Sequence, residues 1–279
     1  NVPAESGQLK HVDTIAAPIA GQGIAWDRSD IGTLFGIVRR NQEVVSMRLS
    51  HTDEFVALQR PVEWVRHEDN PVLPPRKGEF DATRCMNPWI MRDQEQYRLF
   101  YSGGGKDGKQ TIGVASAVVD DLTNWTRSGP LFSTGPAGSF DAQWCVLPHV
   151  VRFDDNLWRL YYTGNAGHGS GLSAFPGIGL ATSADGNAWM RRGDRPVLAP
   201  SGEHGDPDAI GVAGGSVLRV PRQDGSSHWR FYYTGCPTTG EAHALNQQKT
   251  ICLAVSEDGI EWTKQGAVML RDPDRDYED

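Results

Sequence analysis

Residues 140–164 read FDAQWCVLPHVVRFDDNLWRLYYTG, and the same pattern occurs twice more along the chain. The upstream copy, FDATRCMNPWIMRDQEQYRLFYSGGG, covers residues 80–105, and the downstream copy, PDAIGVAGGSVLRVPRQDGSSHWRFYYTG, covers residues 207–235. Three columns of the pattern are Asp81, Asp141 and Asp208, then Tyr101, Tyr162 and Tyr233, then Trp125, Trp189 and Trp262. A self-similar period of roughly 60 to 70 residues indicates a repeat architecture in which each copy forms one structural unit.

Each copy has the composition of short β-strands separated by turns. In WRLYYTG, residues 158–164, apolar and aromatic side chains alternate as in a half-buried strand. The Asp-Gly pairs in SADG and SEDG favour positive φ, which predicts a tight two-residue turn after the third strand. No segment has a convincing 3.6-residue apolar period. Four strands in each repeat predict an all-β fold, a five-bladed β-propeller of four-stranded antiparallel blades.

The repeat predicts a single β-propeller domain over residues 1–279. A four-residue motif that ends each blade occurs four times, as NPVL, GPLF, RPVL and GAVM, and each begins 11 to 13 residues before an aspartate. The last of these aspartates is Asp279, so we expect the final residues to begin a further blade that is incomplete in this chain. The expected blades cover residues 20–66, 80–132, 140–198 and 208–269, with the start of a further blade at 270–279.

Composition excludes several classes of function. The formal net charge of -8 and the pI near 5.5 argue against binding to nucleic acid or to an anionic membrane, which needs a basic surface. No apolar run approaches the ~18 residues of a membrane span. We therefore expect a soluble protein, cytoplasmic or secreted. Its four cysteines are too few for a disulfide scaffold, so free thiols are expected, with a bridge or a metal pair between Cys85 and Cys145 as the alternative.

The strand order of a blade predicts where the chemistry is located. The three repeated aspartates precede the first strands of their blades, so we expect them at one end of the central channel. The loops between second and third strands should lie at the same end, and they are rich in Gly, His and amide side chains. Functional residues concentrate on such variable loops held by a rigid scaffold. The site is therefore expected at this end of the propeller.

These motifs resemble the five-bladed propeller glycoside hydrolases, the group around families 43, 32, 68, 117 and 130. The resemblance covers residues 60–270 approximately and rests on the S-x-D-G-x-x-W hairpin and on the strand that contains YRLFY, WRLYY or WRFYY. It implies an enzyme that cleaves a small glycoside, with acidic residues from successive inner strands around the sugar. It also implies that no cofactor is required, and it leaves room for a structural divalent cation in the channel.

The resemblance suggests roles for individual carboxyl groups. By position, Asp81 would be the base and Asp141 the group that orients the acid. The third position holds Asp208 instead of the commoner glutamate, and Glu203, just upstream, is an alternative acid. The two carboxyl groups would be about 5–5.5 Å apart in a retaining enzyme and about 6.5–9.5 Å apart in an inverting one. An aspartate in every repeat also fits a structural role as a cap of backbone N–H groups, and both roles stay open.

Other side chains are expected to bind the substrate. Trp144, near the start of an inner strand, is a candidate platform for a sugar ring. His149 has no histidine at the aligned positions of the other repeats, which fits either a ligand-binding residue or a satisfied core residue. The remaining candidates are His168, His243, Arg84, Arg39 and Asn246.

The expected partner is a small carbohydrate or glycoside, and no sequence motif demands a metal. Two other functions remain compatible with the sequence. One is a carbohydrate-binding propeller without catalysis, in which the repeated aspartates are structural. The other is a propeller recruited to a different small-molecule reaction, with a histidine as base. Hydrolysis and simple binding differ in whether two carboxyl groups converge, unpaired, within hydrolytic distance.

Overall fold

The computed structural model describes residues 64–154, 156–167, 175–222, 224–237 and 249–269, together with the backbone of the strands at 24–26, 33–38 and 43–49. All regular elements in these ranges are β-strands, so the all-β class predicted from the repeat is confirmed. The described residues include no helix long and apolar enough to cross a membrane.

The described chain divides into two compact units. The first unit comprises the strands before residue 50, residues 64–133 and residues 146–148. The second unit comprises residues 134–145 and the described residues from 149 to 269. Each unit has its own cluster of buried apolar side chains. The single domain expected over residues 1–279 stays a prediction, and residues 270–279 lie outside the described part.

Two sets of four antiparallel strands, each paired in sequence order, belong to the first unit. The first set is β1 (Ile24–Trp26), β2 (Thr33–Val38), β3 (Glu43–Leu49) and β4 (Trp64–Arg66). The second set is β5 (Arg84–Asp93), β6 (Gln96–Gly104), β7 (Gln110–Val118) and β8 (Thr126–Ser128).

The second unit repeats this arrangement. One set is β9 (Trp144–Asp154), β10 (Leu157–Asn165), β11 (Gly177–Ser183) and β12 (Met190–Arg191), with neighbours again in sequence order. The other set is β13 (Gly211–Pro221), β14 (Ser227–Cys236), β15 (Thr250–Ser256) and β16 (Thr263–Met269). Each repeat contains the four strands that the sequence predicts, whereas the number of five blades stays a prediction.

The Asp-Gly hairpins are longer than the sequence suggests. Residues 184–189 separate β11 from β12, so the prediction of a two-residue turn is wrong. Asp185 Oδ1 accepts hydrogen bonds from the backbone N–H groups of Asn187 and Ala188, at 2.8 and 3.0 Å. These side-chain contacts stabilise a longer turn of the Asx kind. Gly186 has a φ of 73°, as expected for the glycine of the pair.

A phenylalanine packs across the sheet in both units. A Cβ atom at Gly113 on β7 would overlap the ring of Phe80, and one at Gly179 on β11 would lie 2.7 Å from the ring of Phe140. The two glycines therefore leave the space in which these rings lie. Because an aspartate directly follows each phenylalanine, this packing holds the aspartate over its own sheet.

Candidate functional site

Asp81 is enclosed by the first unit, with 0% of its surface exposed. Its Oδ2 accepts hydrogen bonds from Tyr101 Oη at 2.8 Å and from Arg127 Nη1 at 2.7 Å. Arg127 lies on β8, the fourth strand of the set, and also donates through Nη2 to the Pro74 carbonyl. The carboxylate and the guanidinium thus form a buried ion pair that joins the start of the repeat to its last strand.

Asp141 has the same surroundings in the second unit and is also 0% exposed. Its Oδ2 accepts from Tyr162 Oη and from Arg191 Nε, both at 2.8 Å. Its Oδ1 accepts from Ser139 Oγ, again at 2.8 Å. Both oxygens of this carboxylate are therefore occupied by side chains of its own unit.

Asp208 completes the series with 2% exposure. Its Oδ2 accepts from Tyr233 Oη at 2.7 Å and lies 2.7 Å from Lys264 Nζ. Lys264 belongs to β16, so the cation again comes from the fourth strand and the tyrosine from the second. Burial and the neighbouring carboxylate raise the pKa of Tyr233, which keeps its hydroxyl protonated as the donor.

Cysteine thiols lie next to the first two of these carboxylates. Cys85 Sγ is 3.9 Å from Asp81 Oδ2, and Cys145 Sγ is 3.8 Å from Asp141 Oδ2. Both cysteines are free and buried. Burial, followed by the adjacent carboxylate, raises the pKa of each thiol to about 12. They are consequently neutral at physiological pH, and thiolate chemistry is not available to them.

These contacts favour a structural role for the repeated aspartates. A catalytic base must come within hydrogen-bond distance of a substrate proton. Each of the three carboxylates is instead enclosed and bonded to a tyrosine and a cation of its own repeat. A catalytic role for Asp81, Asp141 and Asp208 therefore remains only a prediction.

The cations of this cluster were not identified from the sequence, although a signal for them exists. Arg127, Arg191 and Lys264 each follow a hairpin tryptophan by two residues, so W-x-R/K is a further column of the repeat. A basic column in register with an acidic one indicates ion pairing inside each repeat. Catalytic groups have no need to recur in this way.

Glu203 lies in the turn before β13 and is exposed. Its backbone N–H donates to Ser201 Oγ at 3.2 Å, and its carbonyl accepts from the Asp206 N–H at 3.2 Å. Within the described chain its carboxylate forms no ion pair. Among the four carboxylates predicted to be catalytic, it is the one that solvent reaches.

His149 occupies the core of the second unit, with 2% of its surface exposed. Its Nε2 accepts a hydrogen bond from the backbone N–H of Val217 at 2.9 Å, which connects β9 with β13. Of the two alternatives from the sequence, this contact and the burial favour a core residue. It gives no support to His149 as a catalytic base.

Trp144 begins β9 and is half-buried. Its ring centroid lies 6.3 Å from that of Phe175, with the two planes tilted by 47°. The carbonyl of Phe175 accepts the backbone N–H of Val212 at 3.2 Å, so the chain that carries this second ring is attached to β13. Two partly exposed aromatic residues therefore lie side by side at the start of the strand.

Of the other candidate binding residues, one lies in the described part of the chain and four lie outside it. Arg84 starts β5 and is half-buried, and its Nε has no hydrogen-bond partner among the described residues. His168, His243, Arg39 and Asn246 lie outside the described residues, so their roles stay predictions. In the part of the chain that the structure describes, no three His, Cys, Asp or Glu side chains come together as a metal site.

A bulge in the first strand of a repeat is a further feature that sequence reasoning missed. Asn87 on β5 has a φ of 53°, Leu147 on β9 has 56°, and Gly214 on β13 has 54°. Each of the three follows its repeated aspartate by six residues. The three residue types differ, so no column was visible, and only the backbone reveals the equivalence.

Comparison with known proteins identifies the architecture. Neither a protein-family model nor a curated protein sequence matches this chain. A putative glycoside hydrolase from Bacteroides ovatus matches with a TM-score of 0.61 and 18% identity, over 88% of this chain and 72% of its own. Fructan 1-exohydrolase IIa from Cichorium intybus matches with 0.59 and 17%, over 87% of this chain and 43% of its own. The endo-arabinase from Bacteroides thetaiotaomicron matches with 0.58 and 12%, over 90% and 80%.

The fold is that of the propeller glycoside hydrolases. The resemblance read from the repeat motifs is thereby confirmed at the level of the fold. Membership of family 43 and the number of blades stay predictions. This chain spans less than half of the fructan exohydrolase, and at identities of 12 to 18% the likeness concerns the fold alone.

Proposed function

We propose that this protein is a glycoside hydrolase-like, carbohydrate-active protein that binds a small glycoside at the end of the propeller where its first strands begin. The observation that carries this proposal is the partly exposed Trp144 at the start of β9, next to Phe175. A partly exposed aromatic side chain suits the C–H face of a sugar, because it offers a large and rigid apolar area. The fold shared with glycoside hydrolases makes hydrolysis the reaction to test first.

Hydrolysis needs a carboxylate that attacks or activates water and a carboxylic acid that protonates the leaving group. Glu203 is our candidate for the acid, since solvent reaches it. The second group is then either a repeated aspartate released from its ion pair when substrate binds or a carboxylate outside the described residues. With either second carboxylate, the sugar and its linkage are to be identified by experiment.

The test is hydrolysis of a panel of nitrophenyl furanosides and pyranosides, together with fructans, because a fructan exohydrolase of this fold was solved with 1-kestose. We expect Trp144→Ala to lower kcat/KM about fivefold, the effect of losing an aromatic contact of about 1 kcal/mol. Trp144→Phe keeps an aromatic ring and should recover most of the activity. Equal activity of Trp144→Ala and the wild type would exclude the indole as a sugar platform.

A second function, carbohydrate binding without hydrolysis, is favoured by the buried ion pairs of the three aspartates. In that case calorimetry should detect binding of methyl glycosides that the protein does not cleave. Binding should still weaken in Trp144→Ala, whereas Glu203→Gln should have no effect. Loss of hydrolysis in a well-folded Glu203→Gln would instead support the enzyme.

A further inference from the structure

The bulges of the first strands are part of the fold rather than accidents of one repeat. The φ angles of Asn87, Leu147 and Gly214 agree within a few degrees. In β5 the register against β6 shifts between Met86 and Trp89, and in β13 it shifts at the equivalent place. A non-glycine residue at positive φ is uncommon and usually disfavoured, so a repeated occurrence indicates that the surroundings impose it.

Buried hydroxyl groups hold two of the bulges. Ser102 Oγ on β6 accepts the backbone N–H of Leu147 at 3.0 Å, and Thr163 Oγ1 on β10 accepts that of Gly214 at 2.8 Å. The backbone is therefore constant from repeat to repeat. The side chain presented at the bulge varies and is an amide, an isobutyl group or a hydrogen atom.

The amide of Asn87 is a polar group without a hydrogen bond in the described part of the chain. The residue is half-buried, and its side chain makes no hydrogen bond to any described residue. Ser102 is paired opposite Met86, next to Asn87, and its hydroxyl binds the Leu147 amide. One serine thus connects the two bulges of the first unit. Three residues before Asn87, the Nε of Arg84 also lacks a hydrogen-bond partner in the described chain.

We propose that Asn87 is a sugar-recognition residue, an inference that rests on the proposed function and deepens it. Bulges redirect a side chain from the alternation of its strand and are frequent beside binding sites. A primary amide both donates and accepts, so it can pair with two neighbouring hydroxyl groups of a sugar ring. Leu147 supplies an apolar contact for the C–H groups between them. The ligand class is a neutral glycoside with vicinal hydroxyl groups.

The experiment removes the amide without straining the backbone. Asn87→Gly suits a φ of 53°, because glycine adopts positive φ freely. Its matched control is Gln94→Gly, which also removes an amide at positive φ (56°), in the hairpin after β5. With a panel of methyl furanosides and pyranosides, calorimetry should show about tenfold weaker binding for Asn87→Gly, the effect of losing both hydrogen bonds of the amide. Gln94→Gly should bind as the wild type does, and both variants should keep the melting temperature.

Monodeoxy analogues of the glycoside that binds best supply a readout that a structural role would not change. One analogue should lack a hydroxyl group that pairs with the Asn87 amide. The wild type should bind that analogue more weakly than the parent sugar, by about as much as Asn87→Gly weakens binding of the parent sugar. Asn87→Gly itself should not distinguish the two ligands, because the paired groups are coupled. Equal affinity of Asn87→Gly and the wild type, with Trp144→Ala still impaired, would overturn this inference alone. A wild type that binds no glycoside would overturn the proposed function and this inference together.

Discussion

Thr163 Oγ1 on β10 accepts the backbone N–H of Gly214 on β13 at 2.8 Å, inside the core of the second unit. Thr163 is fully buried, and Gly214 lies in the bulge of the next set of strands. A bulge takes a backbone N–H out of its ladder, and a buried donor without a partner is costly. The threonine hydroxyl meets that requirement and joins two successive sheets.

Replacement of this hydroxyl by a methyl group tests the connection. We expect Thr163→Val to lower the free energy of unfolding by about 1–3 kcal/mol, because the Gly214 N–H stays buried without an acceptor. Urea denaturation measures the change. Thr163→Ser keeps the hydroxyl and should lose clearly less. If valine were tolerated as well as serine, the Gly214 N–H would not depend on this residue.

Asp141→Asn should destabilise the second unit. The Arg191 guanidinium would lose its carboxylate, and breaking a fully buried pair costs about 3–5 kcal/mol. Because the Arg191 side chain keeps 21% exposure, we expect a smaller loss, about 2–3 kcal/mol, in urea denaturation. The double variant Asp141→Asn/Arg191→Met should recover part of it, since no unpaired charge remains. An Asp141→Asn variant with wild-type stability but no activity would point to a catalytic aspartate instead.

Comparison of the first two clusters predicts a stabilising substitution. Asp81 Oδ1 is buried and accepts no hydrogen bond in the described chain, although Arg76 Nε lies 4.0 Å from it, whereas Asp141 Oδ1 accepts from Ser139 Oγ. Glu79 holds the position of Ser139, two residues before its aspartate, in a turn with the same backbone hydrogen bonds. We therefore expect Glu79→Ser to raise the free energy of unfolding by about 1 kcal/mol.

The matched control for this prediction is Ser139→Ala, which should lower the free energy of unfolding by a similar or larger amount. Thermal and urea unfolding of both variants would be compared with those of the wild type. A neutral or destabilising Glu79→Ser would mean that the hydroxyl does not reach Asp81 Oδ1.

Alkaline pH should destabilise the protein through its buried thiols. The pKa of Cys85 and Cys145 rises from an ordinary value of 9.0 to about 12 in the folded state. Their contribution to stability is complete below pH 9 and is lost as the pH rises towards 12, because the unfolded chain releases the protons first. Each thiol should add a slope of about -1.4 kcal/mol per pH unit in that window.

Denaturation curves between pH 7 and pH 11, recorded with a reducing agent, measure this slope. Cys85→Ala and Cys145→Ala should each reduce it, whatever their stability at pH 7. The buried tyrosines of the clusters add to the loss above pH 10, since burial and the adjacent aspartates raise their pKa as well. A slope unchanged in both alanine variants would show that the thiols do not control it.

The sequence could predict the fold because its repeat columns are chemically constrained. Tyr101, Tyr162 and Tyr233 are buried donors to a carboxylate in each copy, so no other residue type serves as well. Alternating strands and turn residues then indicated four strands per repeat. The cations also have a signal in the sequence, a basic residue two positions after each hairpin tryptophan.

The partners of the aspartates could not be predicted in the same way. Their place at the end of the channel stays a prediction, whereas the structure shows that Phe80 packs over Gly113 and that Asp81 bonds to Tyr101 and Arg127 of its own sheet. That arrangement depends on the tertiary fit of a ring to a missing Cβ, which no local pattern encodes. The positive φ of Asn87 and Leu147 was hidden for a related reason, because backbone hydrogen bonds impose it and residue type does not.

The short outer strands have a consequence for solubility. β8 comprises three residues and β12 two, and an arginine on each points inward to a buried carboxylate. The last strand of a sheet offers unpaired backbone groups on which a foreign strand can add and start an aggregate. Because β8 and β12 are short and each is held by an ion pair with a buried aspartate, they offer few unpaired backbone groups to a foreign strand. The repeated aspartate thus protects against self-association as well as adding stability, since its loss would release the edge strand that its ion pair holds.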